Sequence, residues 1–349
     1  MKLSTILFSL IYVEIFMFML FAFPVKGFEF ELTVSTDKTW YYAEEIVYVF
    51  GNFTQTGVGT TINGRVGLEI VPPGGSTMHT QKIFRVIRTG DGSLEEGPML
   101  IFETFPCDDS LGEVHTFTRT GYTYFHCYIR IRNFGDKTVD SMWYTVNIFD
   151  SNLHFLGAAV ATFTNLPPGA EYEIKARADI LIPNWASLGT AFMCVNLFSD
   201  LPSHGGYPYC REKTDTFQIV SGGGGSLAKT QETLLSETLN ENSAYHTAFQ
   251  IPSANLRLGT YQVYVSGAYA GYQKQPSLMS YTTFKLTIPG DVDGDNDVDS
   301  SDLFAVAAAF GTKQGDPLYN SACDFDHDND VDSLDLFALA ANYGIKSKS

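Results

Sequence analysis

Twelve aspartates near the end of this 349-residue chain fall into two sets with the same spacing. The first set is Asp291, Asp293, Asp295, Asp297, Asp299 and Asp302. The second, 33 residues further on, is Asp324, Asp326, Asp328, Asp330, Asp332 and Asp335. Each set fills positions 1, 3, 5, 7, 9 and 12 of a twelve-residue loop. Oxygens at that spacing let one loop wrap a hard cation that takes about six to eight ligands at roughly 2.3–2.6 Å. Five carboxylates and the backbone carbonyl of position 7 would complete such a shell, so the pattern points to calcium, two ions in all. Left bare, the clustered like charges repel, which argues against a merely solvated acidic face.

Each loop is followed by one short apolar run. Asp302-Leu303-Phe304-Ala305-Val306-Ala307-Ala308-Ala309-Phe310 stops at Gly311, and Asp335-Leu336-Phe337-Ala338-Leu339-Ala340-Ala341-Asn342-Tyr343 stops at Gly344. Both read as helices closed by the left-handed residue that a helix end favours. No helix leads into either loop. Duplicated loop–helix units, Asp rather than Glu at position 12 and an aromatic-Gly ending resemble the dockerin, the module by which secreted proteins plug into a cohesin. The resemblance covers residues 290–345. It implies a small α-helical calcium-binding domain of tandem EF-hand-like repeats and a cohesin-like partner. The chain departs from the family at position 6, where Asn296 and Asn329 replace the usual Gly; Asn enters the left-handed region more readily than most residues. In related dockerins positions 10 and 11 help choose the partner, and here they are Ser300-Ser301 and Ser333-Leu334. Serine also suits a helix start, so recognition and simple helix initiation both stand as readings.

The formal net charge is −17, and from Asp291 onward thirteen Asp face three Lys. The rest of the chain is mildly acidic and offers no basic face, which excludes nucleic acid as a partner. At the other end, Lys2 precedes an apolar stretch from Ile6 to Phe23, and Val25-Lys26-Gly27 offers small residues at a cleavage site. Residues 1–27 therefore read as a secretory signal peptide, with an uncleaved membrane anchor as the alternative. Secretion, or retention at the cell surface, is the expected localisation. Asn52-Phe53-Thr54 is a glycosylation sequon on an expected strand.

Between these ends the pattern is mostly β. Phe28, Phe30, Leu32 and Val34 alternate with Glu29, Glu31 and Thr33, as in a half-buried strand. Further strands are expected at 45–53, 64–71 and 82–88, the last two joined by Pro72-Pro73-Gly74-Gly75. Residues 34–75, especially Thr36-Asp37-Lys38 and Tyr42-Ala43-Glu44-Glu45-Ile46-Val47, resemble the opening of macroglobulin-type or bacterial Ig-like sandwiches. Six more strands fall within 122–220, with turn signals every eight to twelve residues, as in Ig-like or fibronectin-type sandwiches. After the flexible Ser221–Ser226 linker come three strands, at 246–251, 259–266 and 281–288, too few for a sandwich alone. The expected division is 28–97, 98–220, linker 221–226, 227–288 and dockerin 289–349, with 28–97 and 227–288 completing one split sandwich or standing as two small domains.

Chemistry outside the loops is sparse. The seven histidines are scattered, and no Gly-x-Ser-x-Gly, Walker, zincin or Cys-Gly-Glu-Gln thioester motif occurs. Asp108-Asp109 and Glu44-Glu45 are adjacent acids in turn-like contexts. Cys194 with Cys210, and Cys107 with Cys127, suit disulfides, leaving Cys323 alone; buried thiols are the other reading. The sequence thus reads as a secreted, non-catalytic modular protein docking through calcium. The rival reading is an accessory carbohydrate-active protein that binds or cleaves polysaccharide. Its support would be an exposed glycan-binding strip drawn from Tyr41, Tyr42, Tyr207, Tyr209, Tyr269 and Tyr272.

Overall fold

A computed structural model describes residues 29–56, 64–75, 80–86, 99–107, 112–120, 124–221, 244–251, 257–269 and 278–346. The expected signal segment, residues 222–226 of the linker, Asp108-Asp109, Tyr272 and the side chain of Tyr269 lie outside them. The strands in chain order are β1 (Glu29–Leu32), β2 (Ser35–Thr36), β3 (Trp40–Tyr42), β4 (Ile46–Thr56), β5 (Gly64–Val71), β6 (Thr80–Val86), β7 (Met99–Cys107), β8 (Thr116–Thr118) and β9 (Tyr124–Asn133). They continue as β10 (Val139–Phe149), β11 (Phe155–Leu166), β12 (Glu171–Leu181), β13 (Gly189–Phe198), β14 (Lys213–Val220), β15 (Ala244–Gln250), β16 (Gly259–Tyr269) and β17 (Leu278–Thr287). Two helices close the chain, α1 (Ser300–Ala309) and α2 (Ser333–Asn342).

The strands form two sandwiches. One sheet of the first holds β1, β4 and β15, with β2 also on β4, and its facing sheet runs β3-β17-β16-β5-β6. The second sandwich faces β12-β9-β7 with β11-β10-β13-β14-β8. Residues 29–86 and 244–287 therefore share both sheets of the first, host sandwich, and the second is inserted between β6 and β15. Strand for strand the two have the same order. Each also has a single parallel pairing at the equivalent place, β3 with β17 and β8 with β14.

Period-two alternation explains the layers. Along β4, Val47, Val49 and Phe53 enter the host core, while Ile46, Tyr48, Phe50 and Asn52 face outward. Gly51 is forced by close approach, since a Cβ there would lie 2.0 Å from the Thr33 carbonyl oxygen. Tyr41, Tyr245, Tyr261 and Phe284 also fill this core, and Phe125, Phe217, Ile129 and Val195 fill that of the insert. The sandwiches touch through Ser203 N–H donating to Glu69 Oε2 at 2.8 Å and Arg65 Nε donating to the Pro208 carbonyl at 3.2 Å. His154 stands 2.9 Å from Glu44 and 3.1 Å from buried Asp150.

All five cysteines are buried thiols, so neither suggested bridge is formed. For Cys194 the reason is the strand alternation. Met193, Val195 and Leu197 point into the insert core with Cys210, while Cys194 points the other way, against Phe149 and Phe155. The suggested aromatic strip also fails where it is described. Tyr41 and Tyr209 are core residues, Tyr42 packs against the core of the C-terminal helical unit, and Tyr207 packs on the insert core.

Candidate calcium loops and docking face

The backbone of each loop is folded onto its own carboxylates. Asp291 Oδ1 accepts from Gly294 N–H at 2.7 Å and its Oδ2 from Asn296 N–H at 3.2 Å. Asp324 repeats this with His327 at 2.8 Å and Asn329 at 3.1 Å. Position 12 ties both ends of the loop together. Asp302 Oδ1 accepts from Val292 N–H at 2.7 Å and its Oδ2 from Asp299 N–H at 2.8 Å. Asp335 does the same for Phe325 and, at 2.8 Å, for Asp332. These position-1 and position-12 carboxylates are buried, and positions 3 and 5 are exposed.

Position 6 is left-handed as expected, with φ 70° at Asn296 and 72° at Asn329. Position 4 is left-handed too, at Gly294 (φ 79°) and at His327 (φ 66°). Position 9 has a role that the ligand pattern hid. Asp299 and Asp332 are the N-caps of α1 and α2, each closing a reciprocal capping box with the position-12 aspartate. The helices accordingly begin at Ser300 and Ser333, two residues before the apolar runs.

The two units are laced together. After α1, Gly311 N–H donates to Val331 O and Gln314 N–H to Asn329 O; after α2, Gly344 N–H donates to Val298 O. Each helix exit therefore pairs with the other unit's loop, and Val298 and Val331 are driven into a shared core with Val306, Leu339 and Phe325. The position-7 side chains serve the same lacing. Asp297 pairs with Lys346 at 2.8 Å and Asp330 with Lys313 at 3.1 Å.

An oxygen-only donor set fits a hard cation. Asp291, Asp293 and Asp302 bring carboxylate oxygens within 4.8 Å of one another, as do Asp324, Asp326 and Asp335, and Asp297, Asp299 and Asp302. Asp297 Oδ1, Asp330 Oδ1 and Asn296 Oδ1 are buried with no hydrogen-bond partner, so the loops carry acceptor capacity that the protein does not use. Partial loss of water around the otherwise exposed carboxyls of Asp293 and Asp326, with the neighbouring carboxylates adding to it, raises both above the usual aspartate value. Their raised values favour the protonated form, so a metal-free fold gains from these groups at low pH and loses that gain as pH rises through them. Calcium takes only the carboxylate, so the sign reverses for the loaded form. Calcium affinity is expected to fall steadily as pH is lowered from 7 towards the aspartate range, with protons released on binding. Calorimetric titrations in buffers of different ionisation enthalpy test this; affinity independent of pH contradicts it.

Ser300, Ser301, Ser333 and Leu334 are all exposed in the first turns of the helices. Beside them, Phe304 is 74 % exposed and Phe337 68 %, with Phe310 and Tyr343 about half exposed at the helix ends. Helices this short and apolar all round cannot bury every face, so these large apolar side chains are left outside.

Comparison with known proteins agrees with this geometry. Residues 289–342 match the model of the dockerin type I domain, a calcium-binding docking module whose partners are cohesins. The chain carries that domain beside its β-sandwiches. No curated protein matches the chain. A GH2 beta-galacturonidase from Eisenbergiella tayi, solved with galacturonate, is similar at 10% identity and TM-score 0.22, covering 55% of this chain and 44% of that one. The alpha-2-macroglobulin of E. coli in its native conformation is similar at 7% identity and TM-score 0.21, covering 74% of this chain and 23% of that one. This chain thus spans less than half of either structure, and likeness so slight says nothing about what the sandwiches do. Among the described residues no helix is long and apolar enough to cross a membrane.

Proposed function

We propose that this is a secreted, non-catalytic modular protein that binds two calcium ions and docks onto a cohesin-bearing partner, at the cell surface or in an extracellular complex. The observation that carries the reading is the duplicated loop, with its converging carboxylates and unused buried oxygens, each copy followed by a helix that carries large exposed apolar side chains. In this reading positions 1, 3, 5 and 12 supply carboxylates and position 7 its carbonyl, while position 9 holds the helix start. Calcium neutralises the clustered charge when bound. The chain's own part is to order both helix starts, so that Ser300-Ser301, Ser333-Leu334, Phe304 and Phe337 form one rigid face. The test is a pull-down from native envelope and medium with the full chain as bait, once in millimolar calcium and once in chelator. Capture of a cohesin-like protein in calcium alone is expected. An empty catch by a calcium-loaded bait rejects the docking role.

A glycan-directed accessory role keeps one support. Ile46, Tyr48 and Phe50 stand exposed in a row on the outer face of β4. Affinity electrophoresis through a panel of polysaccharides decides it, since migration unchanged by every glycan removes that support.

A further inference from the structure

The dockerin does not hang free of the host sandwich; it sits on the edge where β3 and β17 run parallel. There Trp40 registers with Lys285, and Tyr42 with Thr287. Lys285 Nζ donates to the Gly294 carbonyl at 2.9 Å and stands 3.9 Å from Asp291 Oδ2. Thr287 Oγ1 donates to the same Asp291 oxygen at 2.8 Å. On the second loop the His327 ring lies 4.5 Å from Trp40 and 6.4 Å from Tyr42, centroid to centroid. Tyr42 and Leu258 also pack on the dockerin core, to which Ile288 belongs.

Gly294 and His327 hold the same place, position 4, in their two loops. One two-strand edge therefore grips both loops at equivalent points by different chemistry, a cation on a carbonyl for the first and tilted and edge-on ring contacts for the second. A Cβ at Gly294 would come 2.4 Å from Lys285 Nζ, so a larger residue there would have to displace the lysine head from the Gly294 carbonyl.

We propose that calcium loading of the dockerin and stability of the host sandwich are coupled through this edge. The inference rests on the calcium reading above. Position 4 lies inside the wrapped loop, so whatever fixes the loop also fixes the Gly294 carbonyl and the His327 ring where the sandwich receives them. The coupling is reciprocal: the factor by which a preformed seat tightens calcium binding is the factor by which calcium tightens the seat.

The test is calorimetric titration of calcium chloride into the metal-stripped full chain and into Trp40→Ala, which leaves every loop residue in place. Loss of an aromatic contact is expected to weaken calcium binding at one site by about 2- to 10-fold. The calcium-induced rise in the melting temperature of the host sandwich shrinks with it. His327→Gly, which removes the ring and keeps a residue at ease with positive φ, covers the case of a misfolded Trp40→Ala. Unchanged calcium affinity in both folded variants overturns the coupling while leaving calcium binding intact. A wild-type chain that takes up no calcium overturns the calcium reading, and this inference with it.

Discussion

Replacing Asp302 and Asp335 together by alanine is expected to abolish calcium uptake and partner capture and to unravel both helix starts. Each carboxylate is buried and accepts hydrogen bonds from both ends of its loop, at Val292 and Asp299 or at Phe325 and Asp332. The change leaves buried N–H groups without acceptors and removes half of each capping box. It also deletes the position-12 carboxylate proposed as a calcium ligand. Two charge-assisted contacts per loop at about 1.5–3 kcal/mol each correspond to a loss of roughly 100-fold or more in calcium affinity. Asparagine at the same positions keeps an acceptor oxygen and the shape, so it should restore part of the helix order but little of the calcium binding. Metal analysis of the dialysed protein, with protease resistance of residues 289–346 as the folding readout, measures both effects. Full calcium stoichiometry in the double alanine variant would sink the ligand assignment.

Truncation after Ser221 is expected to dismantle the host sandwich while leaving the inserted one folded. The lost strands carry eight buried core residues: Tyr245, Phe249, Ile251, Tyr261, Val263, Val265, Phe284 and Leu286. At about 1.5–3 kcal/mol each, their burial is worth roughly 12–24 kcal/mol, against a usual domain stability of about 5–15 kcal/mol. The insert keeps every strand of both its sheets, β7 to β14. Hydrogen exchange read by mass spectrometry should show β4 and β5 exchanging freely and β10 and β13 protected. Protection of β4 equal to that in the full chain would mean that residues 29–86 form a stable unit unaided.

Much of this was legible in the residues. The loops were, because ligand spacing is strictly local, and so were β5, β10 and β13, whose apolar runs are long. The short strands β2, β3 and β8 were not. Each has two or three residues and exists only because a distant strand receives it, as β17 receives Trp40–Tyr42. The helix caps were hidden for another reason: Asp299 and Asp332 satisfy the ligand pattern and the capping pattern at once, and spacing alone cannot say which role the geometry uses. The lacing of Lys313 and Lys346 onto the opposite loops depends on how two repeats face each other, which no single repeat encodes. Of the tyrosines offered as a glycan strip for the rival reading, Tyr41 and Tyr209 are core residues and Tyr42 and Tyr207 pack on the cores. Sheet pairing, which spacing along the chain does not show, sets which way each ring points. The exposed row Ile46, Tyr48, Phe50 was already written in the alternation of β4.

Nesting one sandwich inside another also sets a timetable during synthesis. When β6 leaves the ribosome, the strands that flank β4 and β5, namely β15 and β16, have not yet been made. Residues 87–243 must first be translated, which at about 5–20 residues per second takes on the order of 10–30 s. The inserted sandwich can close only near the end of that interval, once β14 has been made. Until β15 and β16 follow, the earlier strands present Val47, Val49, Phe53, Val66 and Leu68 with nothing from those strands to cover them. A chain that is kept unfolded until all of it has crossed a membrane meets no such wait, because every strand then arrives on the same side before any sheet must form.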